Sequence, residues 1–126
     1  MEFKGFRELE SYKRARTLRI NIALLVKTFP AKEQYLLTAQ LIRASRSITA
    51  NIAEGYGRYT YNDTKNFFII ARGSTSEVLE HCQTAFDEGY IQEEAFRNCE
   101  QLCEEIYKLL NGYIAYLNKQ QQGKPK

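Results

Sequence analysis

The sequence predicts an all-α protein, an antiparallel four-helix bundle with up-down-up-down topology. Four segments repeat apolar residues at steps of three and four, which is the period of an amphipathic helix. Short connections join these segments, and no alternating strand pattern competes with them. Each segment spans roughly 20 to 27 residues, or about 30 to 40 Å of helix, which suits a bundle of four neighbours.

The first helix is predicted over residues 6–28 and the second over residues 31–54. Pro30 separates them, because the residue before a proline avoids the helical region and proline itself can begin a helix. Gly55 is expected to end the second helix with a positive backbone φ. The predicted inner stripe of the first helix is Leu9, Tyr12, Ala15, Leu18, Ile22, Leu25 and Phe29. That of the second is Tyr35, Leu36, Ala39, Leu41, Ile42, Ser45, Ile48 and Ile52.

The third helix is predicted to begin at Asn62, a capping side chain, with the Asp63 carboxylate at the positive end of the helix dipole, and to end near Gly89. Gly73 lies in its interior, where glycine costs about 1 kcal/mol relative to alanine, so a packing or contact reason is expected. Its predicted inner stripe is Phe67, Ile70, Ala71, Ser74, Val78, Cys82, Ala85 and Phe86.

The fourth helix is predicted over residues 92–117. Its inner stripe is Phe96, Cys99, Leu102, Ile106, Leu109, Leu110, Tyr113 and Leu117. The last residues are polar and aperiodic, so we expect one bundle domain over residues 1–118 and a flexible polar tail over residues 119–126.

Composition is that of a soluble cytoplasmic protein. The chain is 44% hydrophobic and 26% charged, and no apolar run approaches the roughly 20 residues of a membrane span. The first residues are charged and lack the apolar core of a signal peptide. We therefore expect no membrane partner.

Three cysteines, Cys82, Cys99 and Cys103, are an odd number, and we expect them to stay reduced. Cys99 and Cys103 have metal-ligand spacing, and His81 and Cys82 could face them. Adjacent residues point about 100° apart on a helix, which is poor geometry for one ion. Small buried apolar side chains are the favoured interpretation, with no metal and no cofactor.

Charge divides the chain into two halves. Residues 1–58 carry eleven Lys and Arg against five acidic residues, whereas residues 59–126 carry seven against ten. This asymmetry suits either binding of a polyanion or pairing of basic and acidic faces between subunits.

Residues 47–58 combine polar groups with small and apolar residues at the end of the second helix. Asn51, Glu54 and Arg58 are the notable polar members, and the segment ends in Gly55 and Gly57 beside a loop rich in tyrosine. These groups either satisfy one another inside the bundle or face a partner. The Arg72-Gly73-Ser74 segment of the third helix is expected to lie nearby.

Several motifs resemble one known family. They are Phe6-x-x-Leu9, Phe29-Pro30-x-x-Glu33-x-Tyr35, Gln40-Leu41-x-Arg43-Ala44, Ser47-Ile48-x-x-Asn51-Ile52-Ala53-Glu54-Gly55-x-Gly57-Arg58 and Ala71-Arg72-Gly73-Ser74-x-x-Glu77. Together they are similar to the four-helix-bundle proteins encoded in intervening sequences of bacterial 23S rRNA genes, also called S23 ribosomal proteins.

The resemblance implies an antiparallel bundle that assembles as a homopentamer and has no enzymatic activity. It also implies a relation to the accessory protein of diversity-generating retroelements, a similar basic pentamer that binds a reverse transcriptase and nucleic acid. The sequence does not distinguish a ribosomal from a retroelement role.

RNA or DNA binding through a basic face is the first functional hypothesis. Cations release counterions from phosphates, and aromatic rings can stack on exposed bases. Arg58, set among tyrosines beyond the two glycines, is the candidate in the 47–58 segment. The full set of candidate contacts is Arg7, Lys13, Arg14, Arg16, Arg43, Arg46 and Arg58.

An oligomeric scaffold or accessory subunit, binding a protein such as a reverse transcriptase, is the alternative. In this interpretation a set of structural residues ties the helix ends and the subunit contacts, because buried charges need partners. Arg43 or Arg46 would pair with acids such as Glu77 or Glu80. The structural set is Asn51, Glu54, Gly55, Arg72, Gly73, Ser74 and Glu77.

An enzyme is the least favoured hypothesis. The single histidine, His81, is expected on a helix face, and Cys99 has no plausible base. One histidine also excludes the usual di-metal site of a helical bundle. Gly55 and Gly57 are expected to form a turn and not a phosphate-binding loop, because no strand precedes them.

Overall fold

The computed structural model describes residues 5–120, and within them the chain is an all-helical four-helix bundle, as predicted. The long helices are α1 (Glu10–Leu25), α2 (Leu37–Tyr56), α3 (Tyr61–Asp87) and α4 (Glu93–Gln120). Short 3-10 turns lie at Phe6–Glu8, Val26–Thr28 and Ala31–Glu33. Helices that follow one another in sequence pack together, α4 closes the ring against α1, and α2 and α3 share the most extensive interface.

The first predicted helix is divided between α1 and its two flanking 3-10 turns, and together these cover the predicted residues 6–28. Ala15, Leu18 and Ile22 are fully buried, as the apolar spacing predicts. Tyr12 lies at the edge of the core against Phe6, with ring centroids 5.0 Å apart. Pro30 has extended backbone angles and precedes the turn at Ala31–Glu33.

The second helix begins six residues later than predicted. Leu36 departs from helical geometry, with φ −117° and ψ −103°, which separates the turn at Ala31–Glu33 from α2. Tyr35 and Leu36 are consequently 83% and 60% exposed, so their predicted burial is wrong. Glu33 stabilises the break, because its carboxylate accepts hydrogen bonds from the Leu37 amide and the Tyr90 hydroxyl.

Gly55 does not end α2 with a positive φ, and that prediction is wrong. The helix continues through Tyr56, and Gly89 is the one positive-φ glycine among the described residues, with φ 79°. Gly55 is instead a point of close approach between α2 and α3, because a Cβ there would lie 2.7 Å from the Phe67 Cβ. The Thr64 hydroxyl donates a 2.7 Å hydrogen bond to the Gly55 carbonyl and ties α3 to this point.

The third helix begins one residue earlier than predicted and has a different cap. Thr60, not Asn62, is the N-cap, and its hydroxyl accepts a hydrogen bond from the Asp63 amide. This register places Phe68 in the core, while Phe67 is half-buried and Ile70 is 50% exposed. The predicted inner positions of Phe67 and Ile70 are therefore wrong, whereas Ala71, Ser74, Val78, Cys82 and Ala85 are buried as predicted.

The fourth helix extends to Gln120, so Lys119 and Gln120 of the predicted tail are helical. Residues 121–126 of that tail lie outside the described residues. The core side of α4 is Phe96, Cys99, Cys103, Ile106, Leu110, Ile114 and Leu117. No helix in the described range is long and apolar enough to cross a membrane.

Candidate nucleic-acid interface

The outer face shared by α1 and α2 is rich in cations and poor in acids. Between residues 11 and 53 the chain carries eight Lys and Arg, and Glu33 is the only acidic residue. Glu33 lies at the break before α2, where it accepts the hydrogen bond from Tyr90. This part of the chain therefore carries a clear excess of positive charge.

Two shallow depressions lie on this face, and Arg46 borders both. The first, of about 400 Å³, lies between α1 and α2, and the second, of about 740 Å³, lies along α2. The first is lined by Phe6, Tyr12, Arg19, Arg46, Thr49, Ala50 and Ala53. The second is lined by Gln34, Tyr35, Thr38, Ala39, Ile42, Arg43 and Arg46. The small side chains of the alanines therefore leave the surface beside the arginines recessed.

Arg19 is held in place across the two helices. Its Nη1 donates a 2.9 Å hydrogen bond to the Thr49 hydroxyl, and that hydroxyl donates to the Arg46 carbonyl. Arg16 lies four residues after Tyr12 and three before Arg19, which places all three on one side of α1. We define the α1–α2 basic face by Arg16, Arg19 and Arg46, with Arg43 at its margin.

Intrachain ion pairs distinguish these arginines from several of the other cations in the described chain. Those pairs involve Lys13, Arg14, Arg43, Arg58, Arg97 and His81. Arg16, Arg19 and Arg46 are not among them. Within residues 5–120, therefore, no carboxylate pairs with any of the three, and Arg16 and Arg46 are exposed to solvent.

The structure separates the predicted contact residues instead of gathering them on one face. Lys13 lies near Glu8 and Glu10, and Arg14 Nε contacts Glu105 Oε1 at 3.1 Å, toward α4. Arg7 packs over the Phe6 ring, 4.9 Å from its centroid, at the edge of the first depression. Of the predicted contacts, Arg16 and Arg46 are the two that define the basic face.

Arg43 and Arg58 carry partners of their own. Arg43 lies 3.9 Å from the Glu77 carboxylate of α3. Arg58 pairs with Glu54 at 2.8 Å and packs over the Phe67 ring, 4.6 Å from its centroid. These contacts reduce the charge that either arginine offers to a ligand.

Arg19 is the residue of this face that the sequence analysis missed. It follows Arg16 by three residues and Tyr12 by seven, which is the spacing of a single helix face. This helical spacing is the sequence signal that could have identified Arg19. Its contact with Thr49 required the packing of α1 against α2 and was not available from sequence.

A polar network ties α2 to α3 beside the Gly55 contact. The Asn51 side-chain amide donates to the Ser47 carbonyl at 2.8 Å and to the Ser47 hydroxyl at 3.0 Å. The Ser47 and Ser74 hydroxyls lie 2.8 Å apart. Ser47 thus links Asn51 to Ser74 within one chain, and the structural role of these residues stays a prediction.

Three more of the predicted structural residues, Arg72, Gly73 and Glu77, lie on α3. Arg72 donates a 2.8 Å hydrogen bond to Asn111 of α4, and Glu77 contacts both Arg43 and His81. A Cβ at Gly73 would meet nothing within 4 Å, so the packing reason expected for this glycine is absent within the described chain. A contact of Gly73 with another subunit stays a prediction.

Comparison with known proteins identifies the family. Residues 7–112 match the sequence profile of the 23S rRNA-intervening sequence protein, which is most of the chain. The chain belongs to this family. The family's description names no reaction and no ligand.

A solved structure shows the same fold. It is a protein of unknown function from the S23 ribosomal protein family of Bacteroides thetaiotaomicron, 24% identical to this chain. The match has a TM-score of 0.77 and covers 83% of this chain and 95% of the other. None of the curated proteins compared with the chain matches it.

Proposed function

We propose that the protein is a non-enzymatic nucleic-acid-binding subunit that holds the phosphate backbone of RNA or DNA on the α1–α2 basic face. The observation that carries the proposal is the set of three arginines, Arg16, Arg19 and Arg46, which lie outside the intrachain ion pairs of the described residues. A phosphate backbone supplies the missing negative charges, and neutralising it releases condensed counterions.

The shape of the face supports backbone contact. Both depressions are shallow and their alanines leave room for a strand to approach, while the exposed Tyr35 ring at one end can stack on an unpaired base. The proposal therefore concerns contact with the phosphate backbone and makes no claim of sequence recognition.

The test is a binding titration with a labelled RNA hairpin and a DNA duplex of equal length, followed by fluorescence anisotropy. Each phosphate contact contributes about 0.9 to the slope of log affinity against log salt, so losing one contact weakens binding roughly eightfold at 0.1 M salt. The Arg16→Ala/Arg46→Ala variant should lose about two contacts. Arg58→Ala should weaken binding less, because Glu54 already pairs with Arg58.

A matched control removes two cations from elsewhere in the chain. Arg97 lies between Glu93 and Glu100, and Lys119 is exposed near the end of α4. The Arg97→Ala/Lys119→Ala variant has the same net charge as the test variant and should bind nearly as well as the wild type. Equal losses in the two variants would show a general charge effect and contradict a specific face.

We further propose that the chain assembles as a homopentamer, as its family resemblance implies, and that this assembly can present a surface to a protein such as a reverse transcriptase. Ile69 and Ile70 of α3 and Tyr107 and Tyr116 of α4 are between 38% and 50% exposed, away from the basic face. Light scattering should give about five times the 14.7 kDa chain mass. A monomer at micromolar concentration would contradict this part of the proposal.

A further inference from the structure

The three cysteines form one cluster in the core between α3 and α4. Cys82 lies on α3, and Cys99 and Cys103 lie one turn apart on α4. All three are buried, as predicted, and the Cys82 and Cys99 sulfurs are 2.7 Å apart. A disulfide needs a sulfur separation of about 2.05 Å, so the pair has to close by less than 1 Å.

A groove between α1 and α4 leads from solvent to Cys99. Its volume is about 410 Å³, and Cys99, though only 5% exposed, forms part of its wall. The other walls include Leu18, Ile22 and Leu25 of α1 and Ala95, Asn98 and Leu102 of α4. A molecule the size of water or hydrogen peroxide is small enough to enter a groove of this volume.

The neighbouring thiols make Cys99 the most readily ionised member of the cluster. Hydrogen bonding from Cys103 and from Cys82 lowers the pKa of Cys99, because both contacts stabilise its thiolate. The same contacts with Cys99, together with burial, raise the pKa of Cys82 and that of Cys103. The thiolate is the reactive form of cysteine, so reaction should begin at Cys99.

From this geometry we propose that Cys99 and Cys82 form a peroxide-oxidised pair that closes an intrachain disulfide between α4 and α3. The Cys99 thiolate attacks one oxygen of hydrogen peroxide, forming an S–O bond as the O–O bond breaks, and the leaving hydroxide takes a proton to become water. The Cys82 sulfur then attacks the Cys99 sulfenic acid, forming the S–S bond as the S–O bond breaks. A second water leaves with the Cys82 proton. Two thiols are thereby oxidised by two electrons in all, and one peroxide is reduced to two waters.

The test treats the reduced, folded full-length chain with hydrogen peroxide and maps the product by mass spectrometry. Trypsin cleaves after Arg72, Arg97 and Lys108, which places Cys82 in the 73–97 peptide and the other two cysteines in the 98–108 peptide. A second cleavage after Glu100 separates Cys99 from Cys103. We expect an intact chain lighter by two hydrogen atoms, with Cys82 linked to Cys99.

Two controls show whether the fold directs this pairing. Cys103→Ala should keep the bridge and Cys99→Ala should abolish it, with circular dichroism confirming that each variant is folded. In urea the pairing should shift to Cys99 with Cys103, because the shorter loop closes at lower entropic cost. Mapping of the wild-type chain decides the proposal even if a variant misfolds. Unlinked 73–97 and 98–108 peptides, a Cys103 bridge in the folded chain, or bridges between chains alone would overturn it.

Discussion

Replacing Gly55 with alanine tests the tight approach of α2 and α3. The added Cβ would lie 2.7 Å from the Phe67 Cβ and 3.1 Å from the Phe68 ring, whereas ordinary contacts begin at about 3.4 Å. The Phe67 Cβ is attached directly to the backbone and cannot swing away, so the two helices must separate by several tenths of an ångström.

The expected magnitude follows from two opposing effects. Overpacking of a close contact costs about 1 to 3 kcal/mol, while replacing glycine by alanine inside a helix contributes about 1 kcal/mol of stability. Gly55→Ala should therefore destabilise the protein by up to about 2 kcal/mol. Gly73→Ala is the matched control, because its Cβ meets nothing within 4 Å, and it should be stabilised by up to about 1 kcal/mol.

Urea unfolding at a fixed protein concentration, followed by circular dichroism, measures both variants. The two free energies of unfolding should differ by about 1 to 3 kcal/mol, with unchanged dependence on urea. If Gly55→Ala were as stabilised as Gly73→Ala, the close packing at Gly55 would be refuted. If Gly73→Ala instead reduced stability, the neighbourhood of Gly73 would be occupied in the assembled protein.

Two further predictions concern individual polar contacts. Asn51→Ala removes two hydrogen bonds to Ser47 and should lose about 1 to 2 kcal/mol of stability. Asn66→Ala, at an exposed position on α3, is the control. Equal urea midpoints for the two variants would contradict the prediction. The hydrogen bond from Tyr90 to Glu33 raises the pKa of Tyr90 to about 12. Because the pKa of Tyr90 is raised in the folded state, the wild type should be more stable than Tyr90→Phe by its full margin below about pH 10, and this margin should shrink as the pH rises toward 12. A difference in stability that does not change with pH would argue against the hydrogen bond.

The sequence predicted the fold well because the fold depends on periodicity. Ala15, Leu18 and Ile22 on α1 and Ala71, Val78 and Cys82 on α3 follow the helical repeat, and all are buried. Local rules failed where tertiary contacts decide the backbone. The sequence analysis predicted that Gly55 ends α2. In the structure, the absence of a side chain at Gly55 lets α2 and α3 pack closely.

Errors in the inner stripes lie before the start of α2 and in the first half of α3. Starting α2 at Leu37 and not at residue 31 exposes Tyr35 and Leu36, and this break depends on Glu33 receiving a hydrogen bond from the distant Tyr90. The Thr60 cap fixes a register for α3 in which Phe68, not Phe67, enters the core. The Glu33–Tyr90 contact joins distant residues and could not be read from the local sequence, whereas the Thr60 cap is local and the sequence analysis chose Asn62 instead.

The sequence predicted the positive charge of the candidate site but not which of its cations lie together. The basic first half of the chain indicated an anionic ligand, and Arg16 and Arg46 lie where such a ligand can reach them. Sequence could not show that Arg14 reaches Glu105, that Arg58 folds back onto Glu54, or that Thr49 holds Arg19. Those contacts join residues on different helices or depend on the end of α2, and they decide which cations remain available.

The salt dependence of RNA-hairpin binding is the measurement that tests the central claim most directly. The slope of log affinity against log salt should be less steep for Arg16→Ala/Arg46→Ala than for the wild type by about 1.4 to 1.8, since each lost phosphate contact removes about 0.7 to 0.9. Arg97→Ala/Lys119→Ala should leave the slope unchanged. Equal slopes for all three proteins, or no binding by the wild type at low salt, would contradict a nucleic-acid interface on the α1–α2 basic face.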